Sequence, residues 1–185
     1  MIFFTSDLHL GHANIIRLCD RPFSNVEEMD ETIINNWNEQ IHKDDTVYVL
    51  GDFTMIKDVA IVENYINQLN GKIYFLRGNH DYWMKNYDFS KNDRIFNLGA
   101  YHEEALNQRR FILCHYPFEE WNHFYRGAYH LHGHQHNTKE YNIDNIQNGF
   151  KRFDVGVDAN DFTPVSIDKI LQLFKDSTIP VVSIQ

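Results

Sequence analysis

The sequence predicts an α/β fold in which neighbouring strands are largely parallel. Three apolar, strand-like runs in the first half of the chain alternate with amphipathic helix patterns, and this β-α-β-α-β order requires helical crossovers between parallel strands. The second half carries shorter strand patterns with brief turns, which predicts a second sheet or an edge of the first. Polar side chains directly follow several of these runs, and open α/β folds place their sites at such strand ends.

The first predicted strand, Ile2 to Ser6, leads into a short helix over Asn14 to Cys19, and Arg21-Pro22-Phe23 breaks that helix. Ser24 and Glu27 have the spacing of a capping box, which predicts the start of a longer helix. One face of this helix is apolar at helical spacing, and we expect it to pack in the core: Val26, Met29, Ile33, Trp37 and Ile41.

The next two strands are predicted over Thr46 to Leu50 and Lys72 to Leu76. The segment between them predicts a second amphipathic helix, which ends at Asn70-Gly71 because glycine commonly follows a helix C-terminus. Its apolar positions are Val59, Val62, Ile66 and Leu69.

The second half predicts mainly strands, with a hairpin turn at Asn107-Gln108. Pro164-Val165 leads into a helix over Ile167 to Lys175, and Pro180 to Ile184 suits a final edge strand. The predicted strands are Arg94 to Leu98, Tyr101 to Leu106, Arg109 to Cys114, Tyr129 to Leu131 and Phe153 to Val157.

Length and composition predict one globular domain over residues 1–185. Of the 185 residues, 43% are hydrophobic and 15% are aromatic, which is enough for a substantial core. The formal net charge is -9 and no basic stripe stands out, so we expect no long nucleic acid as a partner.

The two cysteines and the N-terminus predict a cytoplasmic protein with no membrane partner. Cys19 and Cys114 lack the paired spacing of a zinc motif, and we expect small buried side chains in a reducing compartment. The first residues read as a strand rather than a signal peptide, and no run is long enough to span a membrane.

The polar side chains at the strand ends predict a metal centre. They offer carboxylate, imidazole and amide donors without a thiolate, a set that suits Mn²⁺, Fe, Zn²⁺ or Co²⁺. The set exceeds what one ion needs, and two ions can share it if Asp52 bridges them. The members are Asp7, His9, Asp52, Asn79, His115, His134 and His136. Asp7 and His9, and likewise His134 and His136, are two residues apart, so on extended backbone each pair would face one way.

These motifs resemble, in this order, those of the calcineurin-like metallophosphoesterase superfamily: Asp7-Leu8-His9, Gly51-Asp52, Gly78-Asn79-His80-Asp81, His115 and Gly133-His134-Gln135-His136. The opening Ser6 to His12, the segment Gly156 to Asn160 and Pro164-Val165-Ser166 further resemble a group of small single-domain bacterial and phage phosphoesterases. The resemblance implies a four-layer α/β/β/α sandwich of two mixed β-sheets flanked by helices.

The resemblance also implies two metal sites that share Asp52. The first would be held by Asp7, His9, Asp52 and His136, and the second by Asp52, Asn79, His115 and His134. A hydroxide bridging two divalent ions, with manganese expected first and Fe, Zn, Co or Ni as alternatives, would attack phosphorus in line. His80 would donate a proton to the leaving group or stabilise the transition state, and Asp81 would orient His80 and favour its protonated form.

Several other residues have both a functional and a structural interpretation. Besides Asn79, His12 and Arg77 are candidates to bind the substrate phosphate, although His12 could instead cap a helix and Arg77 could pair with an acidic neighbour. The aromatic segment over residues 116–125 could stack a base or ring, or only pack. Asp158 resembles a structural turn residue more than a ligand. We expect no role at the site for His42, His102, His123 and His130.

The predicted function is a dinuclear-metal-dependent phosphodiesterase acting on a small or nucleotide-like substrate. A phosphomonoesterase, a nuclease and a non-catalytic scaffold or interaction protein on the same fold are the alternatives. A protein phosphatase is disfavoured because Gly51-Asp52 is followed by Phe53-Thr54-Met55, without the Asp-Arg-Gly of those enzymes. A lipid-linked substrate is disfavoured because the chain has no spare length for a helical lid.

Overall fold

The computed structural model describes residues 1–175, so the predicted edge strand over Pro180 to Ile184 lies outside the described residues. Five helices are present in this part of the chain: α1 (Ala13–Leu18), α2 (Val26–Gln40), α3 (Val59–Gln68), α4 (Lys139–Gln147) and α5 (Ile167–Leu173). Its strands are β1 (Ile2–Thr5), β2 (Thr46–Leu50), β3 (Lys72–Leu76), β4 (Ile95–Asn97), β5 (Tyr101–Leu106), β6 (Arg109–Cys114), β7 (Tyr129–His132), β8 (Arg152–Asp154) and β9 (Val165–Ser166).

The strands form two mixed sheets. The first has the order β4-β3-β2-β1-β9, in which β1 to β4 are parallel and β9 is antiparallel to β1. The second has the order β5-β6-β7-β8, in which β5 and β6 form an antiparallel hairpin and the remaining pairs are parallel. The predicted fold class, two mixed sheets flanked by helices, is confirmed.

The two sheets pack face to face through aromatic and aliphatic side chains. Phe4 of β1 stacks on Phe111 of β6 with ring centroids 5.8 Å apart, and α5 closes one side of this core through Ile167 and Ile170. Successive strand residues point to opposite faces, so Phe3 faces the other way and packs against the helices. That outer core takes its helical side chains from α1, α2 and α3: Ile15, Met29, Ile33, Trp37, Val62 and Ile66.

The outer face of the second sheet is covered by the aromatic segment and by α4. Trp121 and Phe118 pack against Ile112 of β6, so this part of the segment belongs to the core. Helix α4 was not predicted, because the two side chains that it buries most fully, Asn142 and Asn145, are polar. Asn142 exchanges two hydrogen bonds with the backbone of Asp154, so polar contacts replace the apolar stripe that would have revealed the helix.

Several element boundaries differ from the predictions. The N-cap of α2 is Asn25 rather than Ser24, since the Asn25 side chain accepts a hydrogen bond from the Glu28 N–H. Strand β8 ends at Asp154 instead of residue 157, because the Asp154 carboxylate turns back to accept a hydrogen bond from the Gly156 N–H. Shorter shifts affect α1, which begins at residue 13, and α5, which ends at residue 173, and the two-residue strand β9 was not predicted.

The predicted turn at Asn107-Gln108 is confirmed. Both residues have positive φ, 47° and 61°, as a tight hairpin between two twisted strands requires. Within residues 1–175, no helix is long and apolar enough to cross a membrane.

Candidate metal centre

The candidate metal centre lies where the carboxyl ends of β1, β2, β3, β6 and β7 meet. Backbone hydrogen bonds join the loops that follow these strands, from the Asp7 N–H to the Gly51 carbonyl and from the His9 N–H to the Asp52 carbonyl, both at 3.1 Å. Two glycines allow the loops to approach further, because a Cβ on Gly78 would collide with the Asp52 carboxylate. A Cβ on Gly133 would likewise collide with Asp7.

Most of the predicted ligands lie on left-handed rather than extended backbone. The φ angles are 57° at Asp7, 51° at His9 and 52° at Asp52, and they are 74° at His134 and 50° at His136. The expectation that extended backbone brings each pair to one face is therefore wrong. Left-handed backbone is strained for residues with a Cβ, by roughly 1–3 kcal/mol each, and such strain is concentrated at functional sites.

A first group of donors surrounds one point. The Asp52 Oδ2 lies 3.6 Å from the His9 Nε2, and the Asp7 Oδ1 lies 3.9 Å from the His136 Nε2. Asp7, His9 and His136 offer ligand atoms that all lie within 4.8 Å of one another. Ligand atoms bound about 2.1 Å from one ion are separated by roughly 3–4 Å, so these spacings suit a shared cation.

A second group of donors adjoins the first. The His115 Nε2 lies 3.4 Å from the Asp52 Oδ2 and 2.9 Å from the Asn79 Oδ1, and the His134 Nδ1 lies 3.0 Å from that amide oxygen. The Asp52 Oδ2 is therefore close to members of both groups, which is the position that a bridging ligand needs. The structure thus brings all seven predicted ligands together in two adjacent sets.

Unpartnered buried atoms test whether the residues fit a cation. Asp7 is completely buried, yet its Oδ1 accepts no hydrogen bond from any described residue, and neither ring nitrogen of the buried His9 has a partner there. Burial raises the pKa of Asp7 to about 7 and lowers the pKa of His9 to about 3. A neutral imidazole is ready to ligate, and a cation beside Asp7 would favour its charged form, so the donor set fits a divalent metal.

Asp52 and His115 behave as a coupled pair without a cation. Burial opposes charge on both, but their mutual contact lowers the pKa of Asp52 to about 2 and raises the pKa of His115 to about 9. The Nδ1 of His115 lies 2.8 Å from the Leu50 carbonyl, to which it donates, and this contact aims Nε2 at Asp52. A metal ion held by the two residues would take the place of the proton on His115.

Asp158 is a residue whose role the sequence analysis missed. Its Oδ2 lies 2.8 Å from the His136 Nδ1, and Arg21 donates two hydrogen bonds of 2.8 Å to its carboxylate. Burial lowers the pKa of His136, but the contact with Asp158 outweighs this effect and raises it. Asp158 does lie in a turn, the short helical turn over Val157–Ala159, but its carboxylate also orients a predicted ligand, as carboxylates commonly do for metal-bound histidines. The only sequence signal was its place in the Gly156 to Asn160 segment.

Asp81 does not orient His80. Its carboxylate accepts hydrogen bonds from the backbone N–H groups of Asp52, Phe53 and Gly78 and from the Trp83 indole. The predicted role of Asp81 is therefore wrong, because its two oxygens are engaged in holding the loops after β2 and β3. His80 is held through its backbone instead, with its N–H donating to the Asp52 Oδ1 at 2.8 Å.

Two clefts border the donor groups. The larger, about 450 Å³, is lined by His9, Asp52, Asn79, His80, His134 and His136, together with His12, Asn14, Ile15, Leu18, Cys19 and Met55. His12 is the N-cap residue of α1, but its side chain makes no capping hydrogen bond and faces this cleft. Arg77 lines the second cleft and has no ion pair within residues 1–175, so the predicted pairing with an acidic neighbour is not formed among them.

The four histidines for which no role at the site was expected make other contacts or are exposed. His102 pairs with Glu104 on β5 at 2.9 Å, and His42 is exposed at the end of α2. His123 lies beside the short helical turn over Phe124–Arg126. His130 is completely buried and stacks on Phe118, so it has a structural role.

Comparisons with known proteins identify relatives of this chain. A family model described as calcineurin-like phosphoesterase matches residues 1–176. An uncharacterized protein of Methanocaldococcus jannaschii is 36% identical over 181 residues, covering 96% of this chain and 93% of its own length. The Gene 66 protein of Mycobacterium phage L5 is 28% identical over 161 residues, covering 72% of this chain and 76% of its own length. The crystal structure of a protein of unknown function from Aquifex aeolicus superposes on this chain with a TM-score of 0.70 at 26% identity. The match covers 94% of this chain and 98% of that protein.

Proposed function

This chain belongs to the calcineurin-like phosphoesterase family, and from that premise we propose that it is a metal-dependent phosphodiesterase acting on a small, nucleotide-like substrate. The observation that carries the proposal is the pair of adjacent donor groups around Asp52, with the unpartnered Asp7 oxygen and His9 nitrogens buried among them. Burying polar atoms without partners costs free energy, and a bound cation would offset that cost by binding them.

Two divalent cations would be held by these groups, with manganese as our first expectation. Asp7, His9, Asp52 and His136 would hold one, and Asp52, Asn79, His115 and His134 the other. Bound there, the pair of ions supplies a water of lowered pKa and positive charge for the phosphoryl oxygens. The chain's own part is to fix the donors: Leu50 aims His115, and Asp158 aims His136.

We assign the protonation of the leaving group to His80. Its side chain is 35% exposed at the open side of the donor groups, with its Nε2 4.0 Å from the Asp52 Oδ2. An imidazole in this position can donate a proton to the oxygen of a departing alcohol, which a poor leaving group requires most. Its backbone N–H donates a hydrogen bond to the Asp52 Oδ1, which fixes the start of this residue beside the shared carboxylate.

The larger cleft favours a diester over a monoester. Its lining includes the apolar side chains of Ile15, Leu18 and Met55 and contains no lysine or arginine. A phosphomonoester carries a second negative charge and no further substituent, whereas a diester has one charge and a group that can lie against an apolar wall. A volume of about 450 Å³ suits a small molecule. We include a cytoplasmic location in the proposal, since Cys19 and Cys114 are both free thiols.

Hydrolysis of two synthetic esters tests the function. Bis-p-nitrophenyl phosphate and p-nitrophenyl phosphate are offered side by side, with Mn²⁺ and with a chelator, to the natural protein and to Asp52→Asn. We expect metal-dependent cleavage of the diester that is lost in the variant together with metal occupancy. Faster cleavage of the monoester would replace the proposal by a phosphomonoesterase. Two bound metals without cleavage of either ester would contradict it and favour the scaffold alternative.

A further inference from the structure

A second cleft adjoins the metal centre on the side of Asn79. Its volume is about 300 Å³, and Asn79 lines both this cleft and the larger one. A molecule held at the metal centre can therefore extend into the second cleft without leaving the protein surface. The remaining lining residues are Arg77, Gly78, Asp81, Tyr82, Lys85, Ala100 and Tyr116.

The charged groups that this cleft presents are cationic. Arg77 is exposed, and it has neither an ion pair nor a side-chain hydrogen bond with any residue in 1–175. Lys85 is also exposed, and its ammonium group lies 5.8 Å from the ring centre of Tyr82 without an acidic partner in that range. Both residues also line a smaller adjoining pocket, so their side chains border continuous open space.

Asp81, the one acidic residue in this lining, does not cancel the positive charge that a ligand in the cleft would meet. Asp81 is 2% exposed, and its carboxylate oxygens accept hydrogen bonds from backbone and indole N–H groups. A third cation, Lys57, lies 5.2 Å from the ring centre of Tyr82 on the same side of the molecule. The chain has a formal net charge of -9, so a cleft whose exposed charged groups are cationic is opposite in sign to the chain as a whole.

Tyr116 connects the cleft with the metal centre. Its ring centre lies 5.2 Å from that of His115 and 4.7 Å from that of His134, both predicted ligands, while 43% of its surface remains exposed. The ring can therefore contact the sugar or base of a substrate between the reacting phosphate and Arg77. The larger cleft has a different chemical character, because its lining contains apolar side chains and no lysine or arginine.

We propose that the cleft formed by Arg77, Lys85 and Tyr116 binds a second anionic group of the substrate, a phosphate, so that the preferred phosphodiester carries an additional terminal phosphate. This inference rests on the proposed function and specifies its substrate class. The planar guanidinium of Arg77 suits two phosphate oxygens at once, and the ammonium of Lys85 adds charge without fixed geometry. The scissile phosphate occupies the metal centre, and the additional phosphate lies beyond Asn79.

A matched pair of substrates tests this subsite. The p-nitrophenyl phosphodiester of thymidine is compared with the same compound bearing one more phosphate on the sugar, in Mn²⁺. We expect kcat/KM to be about tenfold higher for the phosphorylated compound, the size of one charge-assisted hydrogen bond, mainly through a lower KM. In Arg77→Gln and in Lys85→Gln the ratio of the two kcat/KM values should fall toward one. Lys72→Gln, at the opposite end of β3, should retain the ratio of the natural protein.

A binding measurement separates this inference from the proposed function. Calorimetry with thymidine monophosphate and thymidine bisphosphate as probes should show about tenfold tighter binding of the bisphosphate, lost in Arg77→Gln and kept in Lys72→Gln. Equal affinities, or a preference that survives Arg77→Gln, would overturn the subsite even if both diesters are hydrolysed. A preference for the bisphosphate without hydrolysis of either diester would support the subsite and overturn the phosphodiesterase.

Discussion

His130 lends itself to a quantitative prediction about stability and pH. It is completely buried, with its Nδ1 3.1 Å from the Ile112 carbonyl and its Nε2 3.0 Å from the Phe118 N–H. The carbonyl can only accept and the N–H can only donate, so the ring carries its proton on Nδ1 and is neutral. Protonation of Nε2 would break the contact with Phe118, which also stacks on the imidazole at 4.9 Å.

The direction and magnitude of the pH effect on stability follow from the pKa of His130. Burial lowers the pKa of His130 from 6.5 to about 3, so the unfolded chain binds a proton at a higher pH than the folded chain does. Stability is therefore highest above about pH 6.5, and it is lost progressively as the pH falls from there toward 3. Between pH 8 and pH 5 this single group should lower the free energy of unfolding by about 2 kcal/mol.

The assay is urea unfolding of the metal-free protein at pH 8 and pH 5, so that release of metal does not contribute. His130→Gln should be less stable than the natural protein at pH 8 by about 1–3 kcal/mol, because a hydrogen bond and the ring contact are lost. Its loss of stability between the two pH values should nevertheless be about 2 kcal/mol smaller. His42→Gln, which removes an exposed histidine, should keep the pH dependence of the natural protein. An unchanged pH dependence in His130→Gln would refute the reasoning.

Two further predictions concern the metal centre. His80→Ala should keep both metals but lose turnover of the proposed diester, by about 10²–10⁴-fold and most severely for poor leaving groups, as shown by kcat for a series of aryl and alkyl diesters; normal turnover of every ester would remove His80 from the reaction. Asp158→Asn should weaken metal binding by about 10–100-fold, measured by calorimetric metal titration, because His136 loses the carboxylate that orients it. Asp168→Asn changes an exposed carboxylate on α5 and serves as the control, and equal affinities in the two variants would contradict the role of Asp158.

Local sequence patterns were sufficient for much of the fold. The strand before Gly78 was predicted over residues 72–76, and β3 has these bounds. The turn at Asn107-Gln108 was likewise predicted from a short segment. Such features depend on apolar periodicity and turn chemistry within a few residues. Helix α4 was not predicted, because its buried positions are filled by Asn142 and Asn145. These side chains bond Asp154 and Arg152, which lie outside the helix.

Two aspartates, Asp81 and Asp158, also have roles that local sequence patterns did not reveal. The resemblance implied that Asp81 orients His80, but the Asp81 carboxylate binds the loop after β2, which is distant in sequence. Asp158 gave no sign of its contact with His136, 22 residues earlier, or with Arg21, 137 residues earlier. Side-chain partners of this kind depend on which loops the sheets bring together.

The sequence by itself determined the types of donor, their order along the chain and their positions at the ends of strands. These properties are local, because an apolar run forms a strand and its next residues must lie at the strand's end. Asp52 was already expected to be shared by the two groups, but only the tertiary structure decided the distances between the donors and that Arg77 and Lys85 border one cleft. The physical reason is that these contacts depend on strand order and on left-handed loop backbone at residues such as Asp7 and His134, and spacing along the chain specifies neither.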